Sequence, residues 1–384
     1  MSIRVTPKGA ARWRHGHPWI YRSDITDGDA PPGIVAVTDG RGRFLGQALW
    51  SPASEIRLRF LTRSQAPIGF AFWRSTTAEA LKRRDHLVPP ATAYRVVHAE
   101  GDGLPSLIVD RYGDYVVAQL LSAGLEAVRG DVIAAIEDVL NPKGILLRND
   151  ASVRRHENLP LGIEAIAGTV PDPLEVTEGD LSFEARPHTG QKTGMFLDQR
   201  ENHVLMGSHA RGRCLDAFTY HGQFALHMAR RADSVLAVDS SADALDAARR
   251  NAERNGIANV EWQEANVFDL LRALEQDNQR FDTIVLDPPA FAKDRRALER
   301  ALAGYKEINL RAMRLLSPGG LLFTASCSYH VTLPRFLDML TDAAGDSGRE
   351  MQLLEVRGQA ADHPVRLTVP ETGYLKGALL AAHR

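Results

Sequence analysis

The chain has 384 residues, 44% hydrophobic and 24% charged, with a formal net charge of −2, which excludes a disordered or collagenous protein. Only Cys214 and Cys327 occur, with no CxxC pair, so neither a disulfide framework nor a metal site is expected. No apolar run reaches the ~18–20 residues of a membrane helix, and MSIRVTPKGAARWRHGHPWIY lacks the apolar core of a secretory signal, so a cytoplasmic, membrane-free protein of two or three domains is expected.

In chain order, IRV, GIVAVTD, RFLGQALW and EIRLRFL read as short strands separated by DGDAPPG, DGRG and SPAS, a small β-barrel or sandwich. FAFWRSTTAEALKRRDHLV reads as a helix leading out of it. GLPSLIVDRYGDYVVAQLLS reads as a hairpin turning at Tyr112-Gly113-Asp114, LEAVRGDVIAAIEDVL as one helix and GILLRND as a further strand, together a small α+β domain. TVPDPLEV reads as a connector or a domain edge.

From about Leu181 the pattern becomes regular strand–helix alternation. CLDAF, SVLAVD, VEWQEA, FDTIVLD and GGLLFTAS are buried-strand runs. HGQFALHMARR, SADALDAARRNAERNG, VFDLLRALEQ and ALERALAGYKEINLRAMRLL are the helices between them, with Ser241 as N-cap and Gly256 as C-terminal stop of the second. This order specifies a doubly wound parallel sheet with ligand at the carboxyl ends of its strands. MQLLEVRG and YLKGALLAAH are expected to pair antiparallel at its edge.

The first turn of this sheet, Asp216 to Gly222, holds one glycine where a dinucleotide fold needs GxGxxG, so the backbone cannot close around a pyrophosphate. Asp239 ends the second strand, where an acid accepts both ribose hydroxyls. A ligand with a ribose and no pyrophosphate is S-adenosylmethionine. Asp216 would lie near its cationic methionine end and Asn266 near its adenine, and Phe218, Tyr220 and Gly222 complete the turn. Each of these polar residues has the alternative of being a cap or a strand-end turn.

The fourth strand ends in LDPPAFAK. Asp287 and the rigid Pro288-Pro289 would hold acceptors at the crevice for an exocyclic amine, and Phe291 could stack on a planar ring. The fifth ends in SCS, with Cys327 beside the same crevice; a buried structural cysteine is the alternative. Residues 1–90 carry 14 Lys and Arg against 7 Asp and Glu, a basic segment on an acidic body, suited either to a polyanion or simply to solvent.

Taken jointly, HPWIY, EGDGLPSLIVDRYG, GQKTGMFLDQREN, DAFTYHGQFA, VDSSADALDAARRNAERNG, LDPPAFAK, TASCSYH, ADHPV and YLKG resemble the large-subunit (23S) rRNA cytosine-5 methyltransferases of the RlmI and RlmO type, in order and over essentially the whole chain. The resemblance implies a β-rich PUA RNA-binding domain at 1–75, a central α+β domain at 76–180 and a Rossmann-like methyltransferase domain at 181–384, an α/β sheet. It also implies that Lys192, Thr193, Asp198 and Gln199 contact the methionine end of S-adenosylmethionine; the residues alone read as a loop and a helix with Asp198 as N-cap. Some RNA cytosine-5 methyltransferases carry a second cysteine in the DPP motif. It is missing here, which leaves Cys327 as nucleophile, with Asp287 supporting charge at N3 and N4 of the base.

Two rivals stand beside this reading: direct methylation of a guanine or exocyclic nitrogen, which needs no cysteine, and an RNA-binding assembly factor with an inactive methyltransferase domain. The expected partner is 23S rRNA, naked or in an assembly intermediate. The group that removes the C5 proton is left open, as is a homodimer.

Overall fold

The computed structural model describes residues 2–87, 90–291 and 298–383, so Ala292 and Lys293 of the LDPPAFAK motif and Val88 at the end of the first expected helix lie outside the described residues. The chain forms two compact units. The first comprises Met1–Glu178, Ala185–Leu197 and Ala361–Thr372; the second comprises Gly179–Glu184, Asp198–Ala360 and Gly373–Arg384.

The first unit begins with β1 (Ser2–Val5), α1 (Pro7–Arg14), β2 (Trp19–Tyr21), β3 (Ile25–Asp27), β4 (Gly33–Thr38), β5 (Phe44–Trp50) and β6 (Ile56–Thr62). Its six described strands form one sheet in the order β2-β6-β5-β4-β1-β3, with β1 parallel to β4. Alternate residues of these strands bury Ile3, Val5, Val35, Val37, Leu58 and Phe60, and Trp13 of α1 stacks on Phe60 at 4.2 Å. The helix α1 escaped the strand reading. It is short, and its signals are local: Pro7 in the first turn and Thr6 accepting from the Gly9 N–H.

A second sheet in the same unit follows α2 (Phe70–Leu87): β7 (Ala93–His98), β8 (Leu107–Tyr112), β9 (Tyr115–Leu120), α3 (Ala123–Glu126), α4 (Arg129–Leu140), β10 (Gly144–Arg148) and β11 (Ile163–Ala167), ordered β11-β10-β9-β8-β7. β12 (Leu174–Glu178) closes the run. Two expectations need correction. The hairpin turn is only Gly113-Asp114, because Tyr112 pairs with Tyr115 within the strands. The single helix is two, because Val128 leaves helical geometry (φ −113°, ψ 20°) and its N–H bonds back to Leu125, three residues away. The returning segment 361–372 belongs to this unit through Asp362. Its Oδ2 accepts from the Arg95 N–H at 2.8 Å, and its carbonyl accepts from Arg84 at 2.7 Å.

The second unit comprises β13 (Leu181–Ala185, its last residue assigned to the first unit), α5 (Arg200–His209), β14 (Arg213–Ala217), α6 (Gln223–Ala229), β15 (Ser234–Asp239), α7 (Ala242–Arg254), β16 (Val260–Glu264), α8 (Val267–Gln276), β17 (Phe281–Leu286), α9 (Leu298–Leu315), β18 (Leu316–Ser326), α10 (Leu333–Ser347), β19 (Met351–Arg357) and β20 (Lys376–Ala382). Its seven-stranded sheet runs β16-β15-β14-β17-β18-β20-β19. The first five are parallel neighbours, and β20 pairs antiparallel with both β18 and β19, as the edge reading expected. Strand order reverses between β14 and β17, the switch point at which such sheets open a crevice. Both faces of the parallel strands are covered, which explains their continuous apolar runs. Leu215, Leu236, Ile284 and Leu322 pack with Tyr305, Ile308 and Phe336 on one face; Cys214, Ala237, Val285 and Phe323 pack with Met206, Phe224 and Met228 on the other. Ser241 does cap α7, accepting from the Ala244 N–H.

Candidate active site

β14 delivers Asp216 to the switch point and then turns sharply. Phe218 and Tyr220 hold φ of +68° and +49°, left-handed backbone that costs non-glycine residues about 1–3 kcal/mol and persists only where the surroundings impose it. The restraint is visible: the Tyr220 N–H donates to Asp239 Oδ2 at 3.0 Å, so the end of β15 holds the turn after β14. Gly222 is fixed for a second reason. At φ +81°, a Cβ there would stand 2.8 Å from the Trp262 ring.

Asp216 is fully buried. Its Oδ2 accepts from Thr219 Oγ1 at 2.5 Å and from the Ala225 N–H at 2.9 Å, while Oδ1 has no hydrogen-bond partner. Burial pushes its pKa up to about 7; the Thr219 and Ala225 hydrogen bonds oppose this, and the neighbouring Asp287 adds to it. An orphaned carboxylate oxygen at the switch point suits a cationic ligand group, as the methionine end of S-adenosylmethionine provides. Asp239 is half-buried, and its Oδ1 accepts from the Ser241 N–H at 3.0 Å. Each carboxylate oxygen retains a second lone pair for a ribose hydroxyl. The residues present therefore fit that cofactor.

Asn266 is exposed and serves as the N-cap of α8, its Oδ1 accepting from the Phe268 and Asp269 N–H groups. The cap alternative is realised there, and any contact with adenine falls to its amide nitrogen.

Asp287 follows β17. Its Oδ1 accepts from Gln199 Nε2 at 2.8 Å, and Gln199 Oε1 in turn accepts from Asn202 Nδ2 at 2.6 Å. Asn202 Oδ1 accepts from Arg357, so a chain of side chains fixes the acid from behind. Asp198 is not the N-cap of α5; that position is Gln199, with no side-chain cap bond. The Asp198 carboxylate is occupied instead by the Tyr374 hydroxyl, which donates at 2.6 Å.

Lys192 and Thr193 belong to the first unit. Thr193 donates to Asp110 at 2.5 Å and pairs with the Tyr112 hydroxyl at 3.0 Å; Lys192 lies over the Phe196 ring at 4.4 Å. Pro288 is buried and Pro289 exposed. The Phe291 ring packs among Tyr305 (4.6 Å), Phe268 (5.8 Å) and Phe218 (6.4 Å), which holds its plane at the edge of the core.

Cys327 is partly exposed just beyond β18, between the fully buried Ser326 and Ser328. The Tyr305 hydroxyl and Ser328 Oγ are 2.9 Å apart. Lys376, at the head of β20, is buried beside this group. Cys214 is fully buried at the start of β14, with burial pushing its thiol up to about 11, so it is an inert packing residue. Lys376, Tyr374, Tyr305 and Asn202 carried no role in the sequence reading. For Lys376 a signal existed, a lysine heading the apolar run GALLAA, but what surrounds it depends on an antiparallel register that no local pattern gives.

Residues 3–63 match a PUA-like domain model, and residues 208–358 match a methyltransferase domain model. The chain is 40% identical over 372 residues to the ribosomal RNA large subunit methyltransferase I of Erwinia tasmaniensis, covering 94% of each chain. It is 39% identical over 390 residues to the enzyme of the same name from Shewanella amazonensis, covering 98% of each. Among solved structures, SMU.776, crystallised with SAH, superposes with a TM-score of 0.86 at 20% identity, covering 99% of this chain and 100% of that one. Fold and domain content thus define a methyltransferase that carries a PUA-like domain. The chain belongs to the ribosomal RNA large subunit methyltransferase I family.

Proposed function

We propose that this protein methylates C5 of a cytosine in large-subunit (23S) rRNA, using S-adenosylmethionine and a transient covalent bond between Cys327 and C6 of the base. The observation that carries this reading is the position of Cys327: a partly exposed thiol at the carboxyl end of β18, in the strand next to the one that delivers Asp287, while Cys214 is sealed in the core. Asp216, Phe218, Tyr220, Gly222, Asp239, Asn266 and Asp287 would hold the cofactor, with Asp198 and Gln199 toward its methionine end, and when bound it would supply an electrophilic methyl group. Lys192 and Thr193 lie in the first unit, where the Thr193 hydroxyl is engaged by Asp110 and Tyr112.

Carbon 5 of cytosine is a poor nucleophile. Addition of the Cys327 thiolate to C6 pushes the ring electrons toward C5 and makes it reactive. Asp287, oriented by Gln199 and protonated at that stage, supports the negative charge that develops at N3 and N4. Loss of the C5 proton and departure of the thiolate then restore the ring. Pro288, Pro289 and Phe291 border the target base, which must be flipped out or single-stranded.

The family supports rRNA as the partner, and the basic residues of the PUA-like segment supply phosphate contacts. Within this reading residues 1–75, 76–180 and 181–384 act as RNA-binding, central and catalytic portions of a cytoplasmic enzyme. Its substrate is naked rRNA or an assembly intermediate, and a homodimer is compatible with it.

RNA carrying 5-fluorocytosine tests the chemistry, because fluorine cannot leave as the proton does. Wild-type protein should accumulate a covalent adduct; Cys327→Ala should form none and lose methyl transfer, and Cys214→Ala should retain both. Methylation by Cys327→Ala at near wild-type rate would replace this mechanism with direct nitrogen methylation. Intact RNA binding without any cofactor binding would favour an assembly factor.

A further inference from the structure

The antiparallel register of β18 and β20 sets Lys376 opposite Ser326, one residue before Cys327. The residue is 7% exposed, and Nζ donates to the carbonyl oxygens of Ser328 and Tyr374, each at 2.7 Å. Both acceptors are neutral. They satisfy two N–H bonds of the lysine but not the charge of an ammonium, and an ammonium has a third N–H to place. Burial draws the Lys376 pKa down to about 8, and the electrostatic influence of Cys327 opposes that fall. On the other flank, the buried Tyr305 hydroxyl and Ser328 Oγ tie down the residue after Cys327. The cysteine is therefore the partly exposed member of a Ser-Cys-Ser corner whose following residue, Ser328, holds the buried Lys376 amine on its carbonyl.

We propose that Lys376 is a positioning residue for the nucleophile: its amine takes the thiol proton of Cys327 and stays beside the resulting thiolate as an ammonium. The inference rests on the reading of Cys327 as nucleophile. The S–H bond breaks with its electron pair left on Sγ, and a new N–H bond forms on Nζ. Two N–H donors keep the Ser328 and Tyr374 carbonyls, and the third faces the thiolate, which supplies the missing counter-charge. When the thiolate leaves C6 at the end of a cycle, the same ion pair is regenerated.

Alkylation of Cys327 by iodoacetamide, followed against pH by mass spectrometry on the full-length protein without RNA, tests the pairing directly. The wild-type rate should rise through an inflection at least one pH unit below the ~8.5 of a free cysteine. Lys376→Met should move the inflection to 8.5 or above and slow alkylation at pH 7 by about tenfold. Lys376→Arg, which keeps the charge, should restore most of the wild-type profile. A wild-type inflection at or above about 8.5 overturns the proposal even if the Met variant does not fold. So does a folded Lys376→Met protein with an unshifted inflection. Methylation by Cys327→Ala would sink the nucleophile reading instead, and it would leave the alkylation profile as measured, so the two failures are told apart.

Discussion

Asp216 carries the strongest residue-scale consequence, because a buried acid with one unpartnered oxygen must influence stability as well as binding. Its pKa is raised to about 7 in the folded chain, above the ~3.9 of an exposed aspartate. Between those values the native state holds a proton that the unfolded state has lost, so stability falls as pH rises from about 4 to 7. Asp216→Asn keeps an acceptor for Thr219 and Ala225 but does not titrate. The unfolding free energy of the variant relative to wild type, from urea titration, should therefore shift in its favour by roughly 2.7 kcal/mol from pH 5 to pH 8. A gap that does not change with pH would mean that Asp216 ionises normally. Such an acid is readable in sequence as a strand-end residue; its burial is not.

Between elements, the cofactor turn depends on a neighbour. The left-handed residues Phe218 and Tyr220 follow β14, but the Asp239 carboxylate that holds the Tyr220 N–H comes from β15. Asp239→Ala would remove the proposed ribose acceptor and release the turn together. Titration with S-adenosylhomocysteine should show binding weakened by about 1.5–3 kcal/mol, the scale of hydrogen bonds to a charged group, while NAD gives no binding. Unchanged affinity would remove Asp239 from the site. The elements themselves were legible where periodicity was long: β14 to β18, and the capped helix α7. Those missed were α1, too short for a periodic signal, α10, whose start is marked only by Thr332 and a proline in its first turn, and the short strands β2, β3, β7, β11, β12 and β13.

For the molecule as a whole, the first unit joins the PUA-like sheet and the central sheet. Leu49 of β5 sits in the central core, with Ile34 and Leu61 packed against it. Deleting residues 1–75 would strip that core, so the role of the basic segment is better tested by surface substitutions. Lys8 and Arg41 are exposed there. If they meet phosphates, Lys8→Gln and Arg41→Gln should each weaken RNA binding at low salt and flatten the slope of log affinity against log salt by about one, with S-adenosylhomocysteine binding unchanged. Slopes identical to wild type would make the charge bias of this segment a matter of solvation.

Local chemistry determined much of this protein in advance. Alternating segments read the strands of the first sheet and continuous apolar runs read β14 to β18, and the residues singled out as candidates, Asp216, Asp239, Asp287 and Cys327, lie at or just beyond the carboxyl ends of parallel strands, which all open on one side. Tertiary structure alone decided what lies across from those residues. Gln199 reaches Asp287 from a segment 88 residues away, Tyr374 takes the Asp198 carboxylate from 176 residues away, and pairing in the sheet sets Lys376 opposite Ser326, the residue before Cys327. Segment 361–372 likewise leaves the second unit to join the first through Asp362. Contacts of this kind depend on register and chain return, which are set by the packing of distant apolar faces and leave no trace in the spacing of nearby residues.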